Sequence, residues 1–191
     1  MSPISRLRSM VLPLVAIDKC LPEKGRVYEV GCGYGSLCFE IEKLGQKRSV
    51  IGLDNNHSKL MRAKRDFEKN NICFELADAT RYRFKKCDGV VLSDFLHHLS
   101  FGQHRPLIKK LFAALNSGGV LVIKEIDKDD GIRMWASRLW DYLLYPRDAI
   151  YYRSTKQWIE ILKNEGFDPV VNREVLWFPG STFVYKCTKQ S

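Results

Sequence analysis

Three glycines at alternate positions, Gly31, Gly33 and Gly35, follow a short apolar run that carries one acid, Glu29. The spacing predicts a strand, a glycine-rich turn and then a helix N-terminus. At such a turn a ligand can come up against bare main chain and meet free N–H groups. The dinucleotide pattern G-x-G-x-x-G would need glycine at position 36, where Ser36 stands. Asp54 ends a second apolar run, Ser49–Leu53, and lies 19 residues past Gly35. A doubly wound sheet keeps there the carboxylate that binds ribose hydroxyls. The plainer role for Asp54 is to cap the helix that starts near Asn55 and Asn56. His97 and His98 stand in tandem after the apolar run Asp88–Ser93, and Glu125 lies near the end of another. A carboxylate behind an imidazole orients the ring and raises its basicity, which is proton-transfer chemistry. His57 and His104 read as surface residues.

These groups need a frame of alternating strands and helices. Leu37–Leu44, closed by Gly45, predicts a first helix, and Leu60, Ala63 and Phe67 give a second its buried stripe. Ile72–Leu76 reads as a third strand and Asp88–Ser93 as a fourth. Pro106 opens a helix with Leu107, Ile108, Leu111, Phe112 and Leu115 inward; Asn116–Gly119 closes it and Val120–Ile126 follows as a fifth strand. Asp127–Asp130 caps a further helix with Ile132, Trp135, Leu139 and Leu143 on one side. Ser154 and Gln157 form a capping box, and Trp158, Ile161 and Leu162 anchor a last helix closed by Gly166. Residues 170–177 and 182–187 predict a terminal hairpin at the sheet edge. Residues 2–21 read as one or two short helices, started at Ser2-Pro3 and broken at Pro13.

Glu-x-Gly-x-Gly-x-Gly at 29–35 resembles motif I of the class I S-adenosylmethionine-dependent methyltransferases. With Asp54, Ala77-Asp78-Ala79 and the strand–helix–Gly-Gly–strand run to residue 126, the resemblance covers residues 25–126. It implies an α/β fold: a Rossmann-like, doubly wound, seven-stranded and mostly parallel sheet, with an antiparallel C-terminal hairpin strand and helices on both faces. It also implies S-adenosyl-L-methionine as cofactor and S-adenosyl-L-homocysteine as product. A carboxylate such as Glu29 suits a cationic ligand and would repel an anionic one. On the family pattern Glu29, Gly31, Cys32, Gly33 and Gly35 surround the methionine end and Asp54 and Asn55 the ribose. Asp78 and Ala79 would read the adenine, and Ser93 and Asp94 complete the cofactor site. The family's usual Leu-Pro-Phe-like continuation is replaced by Thr80-Arg81-Tyr82-Arg83-Phe84.

Leu96-His97-His98 resembles the Leu-His-His segment of small-molecule methyltransferases, including the quinone-precursor group. His97 is the expected base and Glu125 its orienter, while His98 would point about 100° away if the segment is helical. The family places acceptor specificity between the fifth strand and the last helix. From that segment Tyr142, Tyr145 and Tyr152, together with His98 after the fourth strand, are expected to face the acceptor, and Arg147 and Arg153 to hold an acidic group on it. At least half of Trp135, Trp140, Tyr142, Tyr145, Tyr151 and Tyr152 are expected in the core. The chain divides as a single domain: an N-terminal helical cap (1–24), a cofactor-binding core (25–126), an acceptor insert (127–153), and a last helix with terminal strands (154–191).

Composition narrows the partners. At 191 residues the chain fits one domain. Its longest uncharged run, Leu111–Ile123, is 13 residues, against roughly 18 or more for a membrane span. The six cysteines show no C-x-x-C pair and no zinc spacing with histidine, so free thiols and no metal are expected. The net charge of +9 suits nucleic acid, an anionic membrane surface or an acidic substrate, though much of it reads as a solvated helix face. The expectation is a cytoplasmic monomer or homodimer that methylates O or C of a small hydrophobic or aromatic acceptor, with no obligate nucleic acid. An RNA or protein methyltransferase is the first alternative, but Ser93-Asp94-Phe95-Leu96 lacks the Asn/Asp-Pro-Pro-aromatic signature of base amino-group methylation. A catalytically silent cofactor-binding module is the second.

Overall fold

The computed structural model describes residues 13–45, 47–144, 149–174 and 180–190. Seven strands form one sheet: β1 (Lys24–Val30), β2 (Lys47–Asp54), β3 (Ile72–Leu76), β4 (Cys87–Ser93), β5 (Leu115–Glu125), β6 (Phe167–Arg173) and β7 (Phe183–Lys189). Their order is β3-β2-β1-β4-β5-β7-β6. β1 to β5 run parallel, β7 lies antiparallel to β5, and β6 pairs antiparallel with β7 at the edge. The helices are α1 (Leu14–Cys20), α2 (Ser36–Leu44), α3 (His57–Phe67), α4 (Phe101–Ala114), α5 (Gly131–Leu144) and α6 (Thr155–Asn164). No helix among the described residues is long and apolar enough to cross a membrane.

Strand periodicity divides the core in two. Tyr28, Val30, Val90, Leu92, Leu121 and Ile123 face one side with Leu107, Ile108 and Leu111 of α4 and Trp158 and Leu162 of α6. Val27, Val91, Val120 and Val122 face the other with Ile17 of α1, Leu37, Cys38 and Ile41 of α2, and Leu60 and Ala63 of α3. Successive residues of a strand thus feed opposite layers, which is why β4 and β5 read as continuous apolar runs. Among the described residues, none of α5 belongs to either cluster. All six cysteines are free; Cys32, Cys38, Cys87 and Cys187 are buried and Cys73 is exposed.

Several boundaries differ from the sequence expectation. α4 begins at Phe101, because Ser100 and Gln103 make a reciprocal capping box, and Pro106 falls inside the helix instead of opening it. β5 starts at Leu115, with a register shift where Cys87 and Gly89 pair with it. The cap of α3 is Asn56, whose side chain accepts from Lys59 N–H, not Asp54. β6 begins at Phe167 and β7 runs on to Lys189. The expected Ser2-Pro3 start and the end of the first hairpin strand at Trp177 lie outside the described residues.

Candidate functional site

β1, β2, β4 and β5 end together, and the strand order reverses between β1 and β4, so their carboxyl ends open a crevice. A cleft of about 940 Å³ occupies it. Glu29, Gly31, Cys32, Gly33, Asp54, Asn55, Asp78, Ala79, Ser93 and Asp94 all line it, as do His97 and His98. Glu29 is buried at the end of β1.

The glycine turn follows β1 with φ of 79°, 54° and 78° at Gly31, Gly33 and Gly35. Side chains are strained there, and a Cβ on Gly31 would fall 2.4 Å from the Phe95 ring. The expected free N–H groups are already engaged. Gly31 and Cys32 donate to the Leu53 carbonyl at 2.7 and 2.9 Å, and Gly35 donates to Cys32 at 2.9 Å. Gly33 N–H donates to Asp54 Oδ2 at 2.7 Å. The turn is knitted to the end of β2, so the glycines give a ligand close approach more than spare donors. Asp54 Oδ1 also accepts from Asn56 N–H at 2.8 Å; each oxygen keeps a lone pair with which to accept from a sugar hydroxyl.

Around the turn stand Asp78 and Asp94. Asp78 Oδ1 accepts from Thr80 N–H and Oγ at 2.8 and 2.7 Å, and these bonds hold its carboxyl below the usual range. Asp94 has φ 50°, unusual for a residue with a side chain, and its carboxylate meets Lys124 Nζ at 2.5 and 2.7 Å. The acids Glu29, Asp54, Asp78, Asp94 and Asp141 outnumber Lys59 and Lys124 along the wall, so the cleft favours a cation. A sulfonium-bearing nucleoside fits this donor set. Glu29 and Asp94 supply negative charge, Asp54 suits ribose hydroxyls, and the glycine turn leaves room for close approach.

A buried proton site adjoins it. His97 is 1% exposed, and its Nδ1 lies 2.7 Å from Glu125 Oε2 at the end of β5. Glu125 Oε1 accepts from Phe95 and Leu96 N–H at 3.1 and 2.7 Å, so one carboxylate fixes both the turn and the ring. On the other edge, His97 Nε2 lies 3.9 Å from Asp141 Oδ2 and has no hydrogen-bond partner among the described residues. Tyr152 Oη donates to the same Asp141 oxygen at 2.5 Å. Burial pushes the imidazole down, but Glu125, then Asp141 and Asp94, outweigh it and raise the ring to about 9. Burial raises the Asp141 carboxyl as well. Held by these carboxylates, the ring favours its doubly protonated form at neutral pH.

The acceptor side departs from expectation in several places. His97 and His98 do not diverge: their centroids are 4.4 Å apart and both line the cleft. Leu96–His98 is a single three-residue 3-10 turn and not part of a longer helix, and the cleft reaches both rings. Tyr142 is 64% exposed and lies off the cleft. Tyr152 reaches His97 through Asp141 and is not itself part of the cleft wall. Tyr145 and Arg147 lie outside the described residues. Arg153 is occupied: its Nε donates to His104 Nδ1 at 2.8 Å and its Nη2 to the Phe101 carbonyl at 3.2 Å. His104 is fully buried, not on the surface, and its Nε2–H bridges the Leu96 and Leu99 carbonyls at 2.8 and 2.9 Å. It clamps the turn that carries His97. None of Trp135, Trp140, Tyr142, Tyr151 and Tyr152 is fully buried, since the segment packs over a polar cleft and not over the core. Sequence reasoning missed Asp141, although a lone acid between aromatic and apolar residues of a helix was the signal for it.

A family model described as "Methyltransferase domain" matches residues 5–172. The chain is similar to carboxy-S-adenosyl-L-methionine synthase of Shewanella amazonensis, with 28% identity over 125 residues, 62% of this chain and 51% of that one. Against the synthase of Helicobacter pylori it is 31% identical over 111 residues, 56% of this chain and 44% of the other. The chain thus spans about half the length of the curated relatives it matches. Among solved structures, an S-adenosylmethionine-dependent methyltransferase of Mesorhizobium loti superposes with TM-score 0.76 at 20% identity, covering 92% of this chain and 96% of that one. Magnesium protoporphyrin IX methyltransferase of Synechocystis, with bound S-adenosylhomocysteine, gives 0.70 at 19%, covering 97% and 82%. At these identities the structures show a shared fold.

Proposed function

Because this chain belongs to the methyltransferase domain family, we propose that it moves a methyl group from S-adenosylmethionine to oxygen or carbon of a small hydrophobic or aromatic acceptor, with S-adenosylhomocysteine as product. The carrying observation is the buried His97–Glu125 pair opening into the same cleft as the glycine turn. Glu29, Gly31, Cys32, Gly33, Asp54, Asn55, Asp78, Ala79, Ser93 and Asp94 line the cofactor end of that cleft, with Gly35 closing the turn behind them. The bound cofactor supplies an already activated, positively charged methyl donor, so the protein's main task is alignment.

His97 handles the acceptor's proton. Glu125 fixes the ring so that Nε2 meets the acceptor atom, with Asp141 on the same side. The resting ring is protonated, so it first acts as a donor that holds an acceptor oxygen. Positive charge admitted beside Asp94 and Asp141 weakens the ring's hold on its proton, which frees Nε2 to act as base. Phe95, Leu99, Ile126, Trp140 and Tyr151 wall the rest of the cleft and suit an apolar or aromatic acceptor.

The test is incubation with methyl-labelled cofactor and fractionated cell extract. Label is expected in solvent-extractable small molecules; label in RNA or protein alone would refute the acceptor class. Because the curated relatives are named as carboxy-S-adenosyl-L-methionine synthases, the spent cofactor is also examined by mass spectrometry. Its recovery in carboxylated form, with no S-adenosylhomocysteine, would overturn methyl transfer. His97→Ala is expected to reduce turnover with cofactor affinity nearly unchanged, and normal turnover would remove the base assignment.

A further inference from the structure

We propose that the outer face of α5 docks the protein on an anionic membrane surface. Ile132, Trp135, Leu139, Tyr142 and Leu143 are exposed by 85%, 60%, 60%, 64% and 65%. At helical spacing these five positions fall within an arc of roughly 100°, so they form one continuous apolar stripe along the helix. Among the described residues none of the stripe belongs to either core cluster.

Charge on the helix selects the occupant. Arg138 flanks the stripe, with its guanidinium 5.4 Å from the centroid of the Trp135 ring. The acid of α5, Asp141, is buried on the opposite face with Tyr152. The outer face therefore offers apolar side chains and arginine and no exposed carboxylate, on a chain of net charge +9. A helix with tryptophan and leucine on one side and an arginine at its border suits the plane of a bilayer interface. There the apolar side chains enter the acyl boundary and the Arg138 guanidinium meets lipid phosphate.

The inner face of the same helix lines the cleft through Ser137, Trp140 and Asp141. A docked α5 thus sets the acceptor end of the cleft against the membrane. That the acceptor dissolves in that membrane rests on the acceptor class proposed above, whereas docking itself needs neither cofactor nor turnover.

The experiment is co-sedimentation of the full chain with large unilamellar vesicles, of phosphatidylglycerol mixed with phosphatidylcholine and of phosphatidylcholine alone. Binding is expected to the anionic vesicles, weakening with added salt. Leu139→Glu, at a solvent-facing position away from the cleft, is expected to lower the partition coefficient at least about tenfold, and Arg138→Glu severalfold. Retained thermal melting of both variants separates lost docking from lost folding. Absence of binding to anionic vesicles, or equal binding by wild type and Leu139→Glu, would overturn the proposal. So would light scattering that finds a vesicle-indifferent dimer which Leu139→Glu converts to monomer, because a second copy then covers the stripe. Vesicle binding by a protein that fails to bind S-adenosylmethionine would sink the function and leave docking standing.

Discussion

Replacing Glu125 with glutamine isolates the charge that keeps the buried His97 ring protonated. Oε1 accepts the Phe95 and Leu96 N–H groups, and a glutamine oxygen can keep both. Only the contact of Oε2 with His97 Nδ1 is lost, with the negative charge. In the wild type the ring is raised from 6.5 to about 9. That gap corresponds to about 3 kcal/mol of preference for the protonated ring in the folded state. Because the folded value lies above the unfolded one, this stabilisation is complete below about pH 6.5, declines through the window to about pH 9, and is absent above it. In Glu125→Gln burial becomes the dominant influence and pushes the ring down, opposed only by Asp141 and Asp94. The assay is urea unfolding across that window, with the His97 ring followed by proton NMR. The wild type is expected to lose about 3 kcal/mol more than the variant between about pH 6 and pH 9. Parallel stability curves, or a wild-type ring that titrates below about 7, would refute the assignment of Glu125 as the group that governs His97.

Three further outcomes follow from the same geometry. Gly31→Ala should lower stability by at least about 1–2 kcal/mol, given the φ of 79° and the Phe95 ring in the way; calorimetry should find weaker S-adenosylmethionine binding as well. His104→Ala strips a donor from the Leu96 and Leu99 carbonyls and an acceptor from Arg153, and should cost about 2–4 kcal/mol in urea unfolding, with turnover falling as the His97 turn loosens. Tyr152→Phe removes the hydrogen bond that stabilises ionised Asp141, so the pH–rate profile should move upward with little change in cofactor affinity.

Much of the frame is legible in the residues. The glycine turn, the acid ending β2 and the apolar runs of β4 and β5 follow from local rules: positive φ favours glycine, and a strand buried on both faces must be apolar throughout. The pairing of His97 with Glu125 was also within reach, because both sit at the carboxyl ends of neighbouring parallel strands. His104 was not. A histidine amid lysines and arginines reads as solvated until the Leu96 and Leu99 carbonyls and Arg153 are brought around it from separate elements. Asp141 likewise gains meaning only from its distance to His97.

The spacing of Ile132, Trp135, Leu139 and Leu143 determined that α5 would be amphipathic, and the order of strands and motifs determined the sheet and the place of the crevice. Which face of α5 would meet the rest of the molecule was decided by tertiary structure alone. Periodicity records a contrast between two sides of a helix and carries no sign for inside and outside. Here the inner side covers a polar cleft, so Ser137 and Asp141 turn inward and the apolar stripe is left facing out.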